Sequence, residues 1–133
     1  MAADRILPVV DDRDTAPIFA AAAQGRLIHR FCRDCKAGLH PPTEHCPRCG
    51  GWNTGWREDE GHATLYSWST VAHSVHPAYP APYTVAVVTL DSSPDIRFVT
   101  HLPGAPDLRA GQKMALWFER VAPDIVLPQW KPA

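Results

Sequence analysis

The sequence predicts a mainly β chain: one N-terminal helix, a cysteine-held ribbon, and five short strands closing into a barrel. Three observations carry that prediction. Fourteen prolines and eight glycines in 133 residues rule out a mainly helical chain, because proline ends helices and is kept out of central strands. Four cysteines fall into two Cys-x-x-Cys pairs between positions 32 and 49. From Gly61 onward, runs of aliphatic, aromatic and threonine residues alternate with Pro-, Gly- and Asp-rich breaks, the mark of short strands joined by turns.

Taken in order, residues 1–13 mix charge, proline and aliphatics and read as an extended arm. The segment Asp14–Gly25 reads as a helix: Asp14 or Thr15 caps it, Pro17 sits in the first turn, and Gly25 lies just past the end. Ile18, Phe19 and Ala22 share a face. Residues 26–31 follow as a strand with Leu27, His29 and Phe31 on one side. Regular structure is expected to be scarce over 32–57, and Glu58, Asp59 and Glu60 read as a solvated run. The first barrel strand is His62–Val71, with Thr64, Tyr66, Trp68 and Thr70 on one face and Ala63, Leu65 and Val71 on the other. A Pro-rich loop over 76–82 leads to the second strand, Tyr83–Leu90. Asp91–Asp95 reads as a turn, Ile96–His101 as the third strand, and 102–112 as a long connection. Lys113–Val121 is the fourth strand. Ile125–Trp130 is the fifth, placed at an edge by Pro128. The expected units are 1–31 (arm, helix and lead-in strand), 32–57 (ribbon) and 58–133 (barrel). Five strands with a long connection after the third fit an OB-fold; a generic five-stranded sheet or an SH3-like barrel leaves the same pattern.

The composition narrows function. Hydrophobic residues at 45% and charged residues at 20% fit a soluble globular chain. A net charge of −1 provides no broad positive field for nucleic acid or an anionic membrane. The longest apolar runs are too short to span a bilayer. Met-Ala-Ala-Asp-Arg opens onto no apolar stretch of signal type, so the expected location is cytoplasmic. There, clustered cysteines are read as metal ligands in preference to disulfides.

Each Cys-x-x-Cys turn aims two sulfurs at one point, and two such turns face to face make a tetrahedral S₄ site. Cys32, Cys35, Cys46 and Cys49 are therefore the expected ligands, with zinc as the cofactor; iron can replace it in recombinant material. Four thiolates leave no open coordination position, so the metal is structural. His40 and His45 lie nearby but are not needed as ligands. Gly50 follows the second pair as a turn residue, where the first pair has Lys36 and Ala37.

The order of parts is recognisable. Gly25-Arg26-Leu27 leads into Cys32, followed by Leu39-His40-Pro41-Pro42 and Cys46-Pro47-x-Cys49-Gly50. Then come Gly61-His62-Ala63-Thr64-Leu65-Tyr66-Ser67-Trp68, Pro82-Tyr83-Thr84-Val85-Ala86-Val87-Val88 and Gly111-Gln112-Lys113-Met114. Over roughly residues 14–130 this resembles the DUF35 family, in which a rubredoxin-like zinc ribbon precedes an OB-fold. The resemblance implies an accessory role in acyl-CoA metabolism. Members accompany thiolase-like proteins, including aldolases acting on steroid side-chain CoA esters and acyltransferases, or MaoC-type hydratases. It implies a hetero-oligomer in which the OB domain contacts the partner and helps shape its acyl-CoA site. The competing function is a nucleic-acid-binding module, since both parts occur in such proteins.

Site candidates beyond the cysteines are few. His73, His76 and Tyr79 cluster around the Pro-rich loop and are candidates for contact with partner or substrate. Arg33 and Arg48, among the arginines around the ribbon that include Arg26, Arg30 and Arg57, are candidates to grip coenzyme A phosphates. Tyr66, Trp68, Trp117 and Trp130 serve either as interface anchors or as core. His62 and His101, at strand ends, read as ordinary surface or packing residues. No nucleophile elbow and no Gly-rich phosphate loop occurs, so no catalytic residue is expected.

Overall fold

The computed structural model describes residues 5–133. Within the expected arm, 1–4 lie outside the described residues, and 5–12 carry no regular structure. Helix α1 spans Ala16–Ala23. Its start differs from expectation: Thr15 is the N-cap but makes no side-chain capping bond. Asp12 takes that part, its carbonyl accepting from the N–H groups of Thr15 and Ala16 and its carboxylate from the Asp14 N–H. The end is as expected. Gly25 has φ +73°, and the N–H groups of Gly25 and Arg26 donate to the carbonyls of Ala22 and Ala21 at 2.9 Å each, which is a Schellman cap. Ile18, Ala21 and Ala22 are buried, while Phe19 stays half-exposed.

A three-stranded antiparallel sheet follows. Its centre is β1 (Leu27–Cys32), flanked by β2 (Gly38–Leu39) and β3 (Thr54–Asp59). Strand β3 corrects two expectations, because regular structure extends into the ribbon and past it. It pairs along all of β1, from Leu27 opposite Asp59 to Cys32 opposite Thr54. Nor is Asp59 solvated: its side chain is 6% exposed and accepts from the Gly61 N–H and the Ser92 hydroxyl. A strand whose partner is β1 cannot be seen by period alone, since Trp56-Arg57-Glu58 has no apolar alternation.

The second sheet has five antiparallel strands in the order β6-β5-β4-β7-β8: β4 (Ala63–Val71), β5 (Tyr83–Leu90), β6 (Ser93–Pro103), β7 (Lys113–Ala122) and β8 (Ile125–Pro132). The turn after β5 is shorter than expected, and Ser93–Asp95 belong to β6. Pro94 fits because β6 is a terminal strand of the sheet, where a missing N–H breaks no ladder. A bulge between Leu65 and Ser67 in β4 also breaks the predicted alternation. Beyond it, Trp68 stands opposite buried Ala86 and no longer shares a face with Tyr66.

The ends of this sheet, β6 and β8, meet through side chains. Thr100 Oγ1 accepts from the Trp130 N–H at 2.8 Å and donates to Gln129 Oε1 at 2.7 Å. The same Gln129 oxygen accepts from the His101 N–H at 3.0 Å. These bonds close the barrel at a seam. Inside it lie Ala63, Leu65, Ala86, Val88, Leu90, Ile96, Phe98, Met114 and Trp130, with Leu108 of the long connection beneath. Trp130, one of the four candidate anchors, is therefore core; its indole N–H donates to the Gly61 carbonyl at 2.8 Å. The five-stranded order and the seam together make the OB arrangement, separating it from the generic sheet.

The ribbon is fastened to the barrel. Leu27 of β1 sits in the barrel core, the Gly38 N–H donates to Asp95 of β6 at 2.6 Å, and His40 stacks on Phe98 with centroids 4.1 Å apart. Among the described residues no helix is long and apolar enough to cross a membrane.

Candidate metal centre and adjoining cleft

The two Cys-x-x-Cys turns adopt one geometry twice. The Lys36 N–H donates to the Cys32 carbonyl at 2.9 Å, and the Gly50 N–H to the Cys46 carbonyl at 2.8 Å. Both turn residues are left-handed, Lys36 at φ +66° and Gly50 at φ +76°. A lysine thus takes a conformation that favours glycine, which answers the departure seen at Lys36-Ala37. The turns bring Cys32 and Cys49 sulfurs to 3.7 Å and Cys35 and Cys46 sulfurs to 3.6 Å, with all four ligand atoms within 4.8 Å of one another. A tetrahedral ion with metal–sulfur bonds of about 2.3 Å requires sulfurs about 3.8 Å apart. A disulfide would require about 2.05 Å, and all four thiols are unbridged. The residues fit a metal ion.

Electrostatics agree with the fit. The N–H of Cys35 points at the Cys32 sulfur (3.5 Å) and helps hold that thiol down to about 7. Cys49 goes the other way, to about 12: the Gly51 N–H favours its thiolate, but the Cys32 sulfur, burial and the remaining sulfurs outweigh it. Four thiolates this close need a cation among them, and a saturated S₄ set leaves no position for water or substrate. His45 stacks instead on Trp52 (4.9 Å) and His40 on Phe98, so neither histidine joins the ligand set.

Beside the seam lies a cleft of about 600 Å³. It runs between α1, β6 and the Pro-rich loop, walled by Ile18, Phe19, Val85, Val99, Leu127 and Pro128. His40 and His101 also line it. Burial, with nearby His29 adding, pushes His40 down to about 4. Burial likewise lowers His101, and Arg5 lowers it further. His40 Nδ1 and His101 Nε2 have no hydrogen-bond partner among the described residues.

The candidate contact residues do not converge on one place. Of His73, His76, Tyr79, Arg33 and Arg48, only Tyr79 lines the cleft. It joins Tyr83 and His101 in an aromatic corner, with centroids 5.4–6.0 Å apart, and Arg5 stacks over it at 5.4 Å. His76 supports this corner from behind, 6.2 Å from Tyr79, its Nδ1 accepting from the Ala78 N–H. His73 is exposed in the loop. Arg33 and Arg48 are exposed on the ribbon. Arg33 lies across Gly55 and donates to the Thr54 carbonyl at 2.7 Å, and Arg48 faces Asp95 at 3.9 Å. Arg5, Tyr83, Arg97 and His101 were the cleft residues missed. The signal for two of them was available: Arg97, Val99 and His101 alternate on one face of β6.

Similarity to known proteins matches this architecture. The family model described as ChsH2, C-terminal OB-fold domain, matches residues 56–119. Over 124 residues the chain is 39% identical to the probable enoyl-CoA hydratase alpha subunit of Thermomonospora curvata. That match covers 92% of this chain and 38% of the relative, so the chain spans well under half the relative's length. A DUF35-family protein of unknown function from Sulfolobus solfataricus superposes with a TM-score of 0.61 at 15% identity, covering 77% of this chain and 75% of that one; that likeness is one of fold. A chain of the solved Ltp2-ChsH2(DUF35) aldolase superposes with a TM-score of 0.82 at 35% identity, covering 94% of this chain and 98% of that one. Likeness of that degree, along nearly the whole of both chains and over ribbon and barrel alike, is kinship, and this chain belongs to the DUF35 family.

Proposed function

We propose that this chain is a non-catalytic accessory subunit that docks on a thiolase-like or MaoC-like hydratase partner and helps form or stabilise its acyl-CoA site. The observation that carries this is the near-complete match, at 35% identity, to a chain of an Ltp2-ChsH2(DUF35) aldolase. The relative named as an enoyl-CoA hydratase alpha subunit supports the hydratase as the other partner class. In this assembly the four cysteines hold zinc, which contributes folding energy to the ribbon and takes no part in chemistry. His73, His76, Tyr79, Arg33 and Arg48 are proposed to face the partner or its acyl-CoA.

Affinity capture of the tagged chain from its native host tests the assignment. Recovery of a thiolase-like or hydratase subunit in constant ratio is expected. Recovery of the chain alone at native concentration overturns it.

A further inference from the structure

We propose that the seam cleft is itself a binding site, taking an elongated apolar molecule that carries a carboxylate at the Arg97 end. The inference concerns this chain alone and stands whether or not a partner enzyme docks.

The length comes from β6. Arg97 to His101 is four residues of strand, about 13 Å at 3.3 Å per residue, and both line the cleft. The walls between them are apolar: Phe19 on the helix side, Val85 and Val99 on the barrel, Leu127 beyond the seam. The volume, about 600 Å³, is within the range of about 300–1,000 Å³ typical of small-molecule sites. Val99 is 67% exposed, so an apolar ligand laid along β6 would bury a residue that the fold leaves in water.

The charge sets the head group. No carboxylate lines the cleft among the described residues, while Arg5 and Arg97 do. Arg5 is already committed, bonded to Glu119 at 3.0 Å and stacked over Tyr79. Arg97 is held in place differently. Its guanidinium lies 3.9 Å above the Tyr66 ring and makes no ion pair among the described residues. A planar guanidinium already ordered by an aromatic face loses little freedom on binding and offers paired donors to a carboxylate. At the far end, Tyr79, Tyr83 and His101 form an aromatic corner whose ring faces suit an apolar terminus, with Arg5 over Tyr79 already paired to Glu119.

Calorimetry and amide chemical-shift mapping on the full zinc-loaded chain test this with three probes: decanoate, decanol and acetate. Decanoate should saturate a single site, decanol should bind more weakly, and acetate should not bind. Shifts should fall on residues 97–101, Phe19 and Leu127. Arg97→Ala should weaken decanoate about tenfold, the worth of one charge-assisted contact, and leave decanol unchanged. Val99→Asp, at an exposed position, should weaken both, with zinc content and circular dichroism unchanged. Absence of saturable decanoate binding overturns the proposal. Shifts confined to other surfaces, or Arg97→Ala binding decanoate as the parent does, overturn it as well.

Discussion

Thr100→Val tests the barrel seam. Valine matches threonine in shape but has no hydroxyl, so packing is preserved and only hydrogen bonding changes. Thr100 is 2% exposed and Trp130 0%, so water cannot replace what is lost. The Trp130 N–H loses its acceptor at 2.8 Å, and Gln129 Oε1 loses one of its two donors. Leaving one buried donor unsatisfied costs about 1–3 kcal/mol. The Gln129 oxygen keeps the His101 N–H and adds little. The expected loss is therefore roughly 2 kcal/mol, read as a lower guanidinium midpoint with an unchanged slope. Thr100→Ser keeps the hydroxyl and should lose only the methyl contribution, about 1 kcal/mol or less. If Thr100→Val costs no more than Thr100→Ser, the side-chain bonds do not close the barrel, and the seam is held by apolar packing alone.

Three further outcomes are expected. Elemental analysis of the freshly purified chain should give one metal ion for the one four-cysteine site, and Cys46→Ala should abolish stoichiometric loading and cost several kcal/mol of stability. Gly61→Ala should destabilise by roughly 2–4 kcal/mol in denaturant titration, because it combines a left-handed backbone at φ +82° with a Cβ placed 2.4 Å from Leu116 Cδ2. His40, held down to about 4 by burial, stays neutral in the fold but takes up a proton on unfolding below about 6.5. Its contribution is thus intact above pH 6.5 and is lost as pH falls toward 4, about 2 kcal/mol by pH 5; the stability difference between pH 7.5 and pH 5 should shrink by that amount in His40→Phe.

What could be read before folding divides along physical lines. The cysteine turns, Gly25 and the barrel strands were legible because their signals are local: a ligand spacing, a left-handed terminator, a period of two. Strand β3 was not, because Thr54–Asp59 is made a strand by β1, which lies more than twenty residues upstream, and not by its own pattern. The bulge at Leu65/Ser67 was hidden for the same reason, since an extra residue shows only against a partner strand. At the candidate metal site the four cysteines that the fold brings together were legible. At the cleft Tyr79 was named and the shared face of Arg97, Val99 and His101 was there to be read, but the remaining wall comes from the arm, the helix, the ribbon, β5 and β8, and only the folded chain assembles it.

The metal and the cleft, though distinct sites, share a support. Zinc, as proposed, orders the turns that carry Gly38 and His40. Gly38 is clamped to Asp95 at the start of β6, and a Cβ there would stand 2.6 Å from both Asp95 and Ile96, so the approach leaves no slack. His40 packs its ring on Phe98, the neighbour of Arg97 and Val99, and forms part of the cleft wall itself. Loss of the metal would therefore not stay within the ribbon. It would free the strand that bears Arg97, Val99 and His101, and the cleft should lose its shape before the barrel core, anchored by Trp130 and Leu90, loses its packing.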